Sequence, residues 1–193
     1  MTPLGLGWPN LVSILRIVLA PVLVALVAAD TRPASYAAGA VFAVGAITDG
    51  LDGYLARRYD SVTRTGQWLD PLSDKILVAA PVIAMTALDR FPWWATVVIV
   101  TRELAVSVLR AWLGTRGRAM PASWLGKLKT AAQLLAILLY LIPGAVDALD
   151  PAPFVALVMA VGLTVWSGVD YAVKAMRPRP AVPPSSEVRP VAS

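Results

Sequence analysis

Residues 49–75 read DGLDGYLARRYDSVTRTGQWLDPLSDK, and the four aspartates Asp49, Asp52, Asp70 and Asp74 give the stretch its meaning. Apolar runs flank it on both sides, so these acids stand where membrane helices meet. An ionisable side chain at membrane depth costs at least about 2.5 kcal/mol and marks a functional position by default. The spacing adds to this. Asp49 and Asp52 are three apart, and Asp70 and Asp74 are four apart. On a helix each pair shares one face. Two such pairs facing each other form a cage of oxygen ligands suited to hard divalent cations such as Mg2+ or Mn2+.

Outside this stretch the composition is that of a membrane protein. The chain has 193 residues, 58% of them hydrophobic, with a mean hydropathy of +0.67. That is too apolar for an ordinary soluble domain and long enough for one helical membrane bundle. There is no cysteine and no histidine. Disulfides, thiolate catalysis, Cys-based zinc sites, a His general base and His metal ligands are all excluded. Any chemistry must use carboxylates, Arg, Lys and hydroxyls. The net charge of +5 does not indicate nucleic acid, because the basic residues are spread over the links between apolar segments. Membrane topology and anionic phosphate substrates explain them better.

Working outward, six apolar stretches approach or exceed the length of a bilayer span, at roughly 11–30, 35–58, 68–88, 92–113, 124–143 and 152–175. The breaks carry turn chemistry, as in Asp30-Thr31-Arg32-Pro33 and Asp89-Arg90-Phe91-Pro92. The predicted fold is an all-α integral membrane bundle of six transmembrane helices, residues 1–176, with a disordered cytoplasmic tail over 177–193. The first apolar run lacks a basic leader and a small-residue cleavage site, so no cleavable signal is expected. Arg57, Arg58, Arg64, Arg116, Arg118, Lys127, Lys129, Lys174, Arg177 and Arg179 all fall on one side of this topology. The positive-inside rule then places both termini and the aspartates on the cytoplasmic face. Pro21 predicts a kink in the first helix. Trp93 and Trp94 read as interfacial anchors on the outer face.

Small residues lie between the two carboxylate pairs. Gly53 and Ala56 are three apart on the second helix, and Gly66 opens the third. They let a ligand or a neighbouring helix approach the backbone. On the acids alone, an enzyme and an ion pathway such as a divalent-cation transporter stand level. The small residues and Arg57 favour the enzyme.

The full pattern, Asp49-x2-Asp52-Gly53-x2-Ala56-Arg57-x8-Gly66-x3-Asp70-x3-Asp74, resembles the signature of the CDP-alcohol phosphotransferase family at every fixed position. Members of that family are integral membrane enzymes of phospholipid synthesis. The resemblance implies a six-helix homodimer in the bacterial inner membrane, with its site open to the cytoplasm. It implies that Asp49, Asp52 and Asp70 chiefly bind the metals, two ions of Mg2+ or Mn2+. Asp74 is implied as general base and as a further metal ligand. Asp52, Gly53, Ala56, Arg57 and Gly66 are implied to hold the CDP moiety. This chemistry has a physical logic. Divalent metals neutralise a pyrophosphate and stabilise the leaving CMP. The attacking hydroxyl needs a positioned base, which a carboxylate can be.

Further motifs are similar to the branch of the family that transfers a phosphatidyl group from CDP-diacylglycerol to sn-glycerol 3-phosphate. They are Pro9-Asn10-x2-Ser13-x2-Arg16, Asp70-Pro71-Leu72-Ser73-Asp74-Lys75, Thr101-Arg102-Glu103-Leu104 with Ser107 to Arg110, and Ala122 to Gln133. Asn10 and Ser13 either contact nucleotide or cap the first helix; both readings stay open. Arg102 and Glu103 lie mid-helix and are expected to face the bundle interior. Arg102 and Arg110, eight residues apart, are about two turns apart on one wall. Lys127 and Lys129 differ by about 200° around the fifth helix, so only one of them is expected to face the same pocket, and the resemblance favours Lys129. Together these cations would cradle the acceptor phosphate. Inositol phosphate and phosphatidylglycerol are the alternative acceptors within the family.

Overall fold

The helices begin and end close to where the apolar runs do. The computed structural model describes residues 8–59, 66–116, 124–144 and 151–176, with side chains at 13–48, 72–116, 124–144 and 151–176. The six helices are α1 (Trp8–Ala28), α2 (Arg32–Tyr59), α3 (Gly66–Ala87), α4 (Trp93–Thr115), α5 (Trp124–Leu141) and α6 (Ala152–Met176). Among the described residues there is no strand. The tail at 177–193 lies outside the described residues.

Local chemistry explains the turns. At the end of α3, Asp89 takes the left-handed conformation with φ 55°. The Arg90 N–H then reaches the Met85 carbonyl at 2.9 Å, and the Asp89 N–H reaches Thr86 at 3.1 Å. This is a Schellman closure, with Asp in the place glycine usually takes. Asp30 takes the same left-handed conformation after α1, with φ 47°, and its N–H reaches the Val27 carbonyl at 3.1 Å. Thr31 then caps α2, its hydroxyl accepting from the Ala34 N–H at 3.4 Å. Pro33 sits in the first turn, where its missing N–H is not required. The two turns are pinned together, because Arg90 donates to Asp30 at 3.1 Å and to Ser35 at 3.2 Å. The α1–α2 and α3–α4 turns therefore share one end of the bundle, as the sequence predicts.

α1 packs chiefly on α3 and α2, and α6 on α5 and α4. The core runs through Leu23, Phe42, Met85, Ile99, Ile137 and Leu157. Phe91 meets Tyr140 edge to face with centroids 4.8 Å apart. Gly45 gives a close α2–α3 contact: a Cβ there would lie 3.0 Å from Leu77 Cδ1, and the leucine tip would have to shift by a few tenths of an ångström. The outside of the bundle is equally apolar. Val18, Ile47, Val97, Val108, Trp166 and Val169 are all more than half exposed. An apolar surface of this extent on every side suits lipid and not water.

Pro21 lies inside α1, which is helical on both sides of it. One expectation changes. Trp93 and Trp94 are not a matched pair of anchors: Trp93 is exposed, while Trp94 packs on the core. Adjacent helical residues point about 100° apart, so one can face outward while the next turns to the core. By length and composition, α5 and α6 are the two helices apolar enough to cross a membrane among the described residues. α2, α3 and α4 carry the charged groups of the motifs, which interrupt their apolar stretches.

Candidate active site

The site begins at Asp74, on the N-terminal half of α3. Its carboxylate is half-exposed, and Arg16 of α1 donates to its Oδ1 at 2.5 Å. The same guanidinium nitrogen reaches Ser73 Oγ at 3.3 Å. Arg16 is 3% exposed. A buried arginine in an apolar helix needs a carboxylate, and the tight α1–α3 packing supplies one. Arg16 thus orients the acid that the motif marks as a base.

Beside Asp74 opens a cavity of about 630 Å³ between α3, α4, α5 and α6. This is within the range for small-molecule sites. Its lining includes Lys75, Arg102, Arg110, Lys127 and Lys129 against the two carboxylates of Asp74 and Glu103. Among the described residues, five cations face two anions in a partly apolar hollow, an excess of positive charge that favours an anionic ligand. The four cations expected from sequence all reach it. Each of three is held by a partner. Arg102 donates through Nε to the Thr164 carbonyl at 3.1 Å and through a terminal nitrogen to Ser167 Oγ. Gly168 lies against it, and a Cβ there would come into ordinary contact with Arg102 Cγ at 3.4 Å. Arg110 donates to the Tyr171 hydroxyl and lies 4.7 Å from that ring's centroid. Lys129, 5% exposed, donates to Glu103 Oε1. Glu103 faces the interior, as its depth predicts.

One expectation needs correcting. Lys127 lines the cavity along with Lys129, although the helical angle allows only one to face it. Lys127 is exposed, near the start of α5. A four-carbon lysine stem is long enough to reach around a helix from such a position. Arg116 serves elsewhere, stacked on Trp112 at 3.8 Å. The residues that sequence reasoning missed are Arg16 as partner of Asp74, Lys75, Tyr171 and Gln133. Arg16 carries a signal, because a charge mid-way along an apolar run must find a counter-charge. Gln133 and Tyr171 carry none until α5 and α6 are placed around the cavity.

The side chains of Asn10, Asp49, Asp52, Gly53, Ala56, Arg57, Gly66 and Asp70 lie outside the described residues. The backbone is helical at all these positions. Asp49 with Asp52, and Asp70 with Asp74, therefore hold the helical spacing that sets each pair on one face. Ser13 is buried and lies well inside α1, so it is not the helix cap. Of the four motif acids, Asp74 is the one whose side chain is described, and its carboxylate, open to the cavity, is an oxygen donor of the kind a hard divalent cation takes.

An apolar helical bundle with a cation-rich cavity beside an aspartate motif is the frame of a membrane enzyme that handles phosphate groups. The family model described as CDP-alcohol phosphatidyltransferase matches residues 6–166, and the chain belongs to that family. A probable phosphatidylglycerophosphate synthase of Mycobacterium tuberculosis (strain H37Rv) is 44% identical over 171 residues, 87% of this chain and 81% of its own. A CDP-diacylglycerol–glycerol-3-phosphate 3-phosphatidyltransferase of Bacillus subtilis (strain 168) is 38% identical over 177 residues, 84% of this chain and 92% of its own. The enzyme of that description in Escherichia coli (strain K12) is 35% identical over 168 residues, 84% and 91% of the two chains.

Proposed function

We propose that this protein transfers the phosphatidyl group of CDP-diacylglycerol to sn-glycerol 3-phosphate, giving phosphatidylglycerophosphate and CMP. The observation that carries this reading is the cavity beside Asp74, with five cations against two carboxylates among the described residues. The names of the relatives, and their coverage of this chain, point to the same acceptor.

In this reading the acceptor phosphate lies among Arg102, Arg110 and Lys129, with Lys127 at the rim. Asp74, oriented by Arg16, takes the proton of the attacking hydroxyl. A bond forms from that oxygen to the lipid-linked phosphorus, and the bond to the bridging pyrophosphate oxygen breaks. CMP leaves. Asp52, Gly53, Ala56, Arg57 and Gly66, with Asn10 and Ser13, hold the nucleotide end. Asp49, Asp52, Asp70 and Asp74 hold divalent cations, two of Mg2+ or Mn2+, which when bound neutralise the pyrophosphate and stabilise the leaving group. Catalysis of this kind is mostly positioning and charge stabilisation.

The same reading takes all six helices as spans of the bacterial inner membrane, in a homodimer, with both termini and the site on the cytoplasmic side. The basic links and tail support that orientation. Arg102 and Glu103 of α4 and Asp74 and Lys75 of α3 line the interior cavity, which lets these helices cross despite their charge. The test is CMP release by the purified protein. It is expected to require CDP-diacylglycerol, glycerol 3-phosphate and a divalent cation together. Cation flux into proteoliposomes without any CMP release would instead make the chain a transporter.

A further inference from the structure

Gln133 lies on α5 four residues after Lys129, so the two side chains share a helix face. It is 2% exposed and lines the cavity beside Asp74. Its amide oxygen is buried and has no hydrogen-bond partner among the described residues. Folding does not reward a buried polar atom left unpaired, so such an atom in a binding cavity calls for a ligand. The partner must be a donor. Leu77, Val78 and Leu134, which line the same cavity, have none on their side chains. Lys129 is engaged with Glu103, and Arg102 with Thr164 and Ser167. An ionised phosphate only accepts hydrogen bonds, so the phosphate of an acceptor cannot satisfy this amide oxygen either. A hydroxyl can.

We infer that Gln133 accepts a hydrogen bond from the C2 hydroxyl of the acceptor, and so selects a polyol phosphate over a simple alkanol phosphate. This rests on the acceptor reading proposed above. With the phosphate held by Lys129 and the primary hydroxyl directed to Asp74, the secondary hydroxyl is the donor left over. Gln133 is then a specificity residue that touches substrate and takes no part in the transfer itself.

The test compares two acceptors on the purified full chain. One is sn-glycerol 3-phosphate. The other is 3-hydroxypropyl phosphate, which keeps the phosphate and primary hydroxyl but lacks the one on C2. The wild type is expected to favour glycerol 3-phosphate in kcat/KM by about tenfold or more, because the analogue leaves Gln133 unpaired. Gln133→Met keeps the volume and removes the amide. It is expected to lose about tenfold toward glycerol 3-phosphate, to change by less than about twofold toward the analogue, and to keep its KM for CDP-diacylglycerol. Its thermal midpoint in detergent is expected to hold or rise, since an unpaired buried oxygen has gone. Equal losses toward both acceptors would overturn the inference, as would a wild type indifferent to the C2 hydroxyl. A wild type that uses neither acceptor would overturn the acceptor reading, and the inference with it.

Discussion

Arg16 donates to Asp74 at 2.5 Å across the α1–α3 contact, and this pair joins the scaffold to the chemistry. The arginine is buried and the carboxylate half-exposed, so one side of the pair is structural and the other faces the cavity. Replacing either residue therefore has a stability consequence and a catalytic one, and the two separate by choice of substitution.

Asp74→Asn keeps an oxygen that can accept from Arg16 but removes the base. It is expected to abolish most turnover, leave CDP-diacylglycerol binding largely intact, and cost less than about 1.5 kcal/mol of stability. Asp74→Ala also abolishes turnover and strands the Arg16 cation, costing about 1.5–3 kcal/mol. CMP release, together with thermal unfolding in detergent, checks both. Turnover surviving in Asp74→Asn would remove Asp74 from the role of base.

The metal assignment rests on helical spacing at the other three acids. Asp49→Asn, Asp52→Asn and Asp70→Asn each turn a carboxylate ligand into a neutral amide. Each variant is expected to lose most activity and to need a higher divalent-cation concentration for half-maximal rate. The measurement is a Mg2+ titration of CMP release. Unchanged titration curves in all three would contradict the assignment.

Lys129 and Glu103 form a partly desolvated ion pair inside the cavity, with the lysine side chain 6% exposed and the glutamate 23%. Glu103→Ala leaves that ammonium without its counter-charge and is expected to cost up to about 3–5 kcal/mol. Glu103→Ala combined with Lys129→Met is expected to recover most of the stability and none of the affinity for glycerol 3-phosphate. Unfolding midpoints of the single and double variants measure the coupling. Strictly additive losses would mean the two residues do not act as a pair.

The phosphate cradle separates from general surface charge. Arg102→Ala removes a charge-assisted contact to the acceptor, worth about 1.5–3 kcal/mol. The apparent affinity for glycerol 3-phosphate is expected to fall roughly tenfold or more, with little change for CDP-diacylglycerol. Arg116, stacked on Trp112, is the control. Arg116→Ala is expected to change neither affinity by more than about twofold. Equal effects from the two would point to diffuse charge and no specific pocket.

Much of this was legible because charge in an apolar chain is costly. The aspartates announce themselves by spacing, and Arg102 and Glu103 by their depth in α4. The helix limits follow the apolar runs to within a few residues, since Asp30 and Asp89 close the turns where the hydrophobic pattern stops. What periodicity could not give is the partner of each group. Arg16 reads as one arginine in a hydrophobic run, and only the α1–α3 contact brings Asp74 to it. Lys127 defeats an argument from helical angle because a lysine stem is long enough to bend. Trp94 looks like its neighbour in sequence and differs from it only once α4 has a buried face. Gln133 is an ordinary polar residue until the helices around it leave its oxygen unmatched.

The most direct test of the central claim is an acceptor panel. CDP-diacylglycerol and Mg2+ are offered in parallel with sn-glycerol 3-phosphate, inositol phosphate, inositol, serine and phosphatidylglycerol, and CMP and the lipid product are measured. Turnover with glycerol 3-phosphate is expected to stand well above that with every other acceptor, yielding phosphatidylglycerophosphate. A clear preference for inositol phosphate or phosphatidylglycerol would leave the cationic cavity standing and contradict the claim about what it binds.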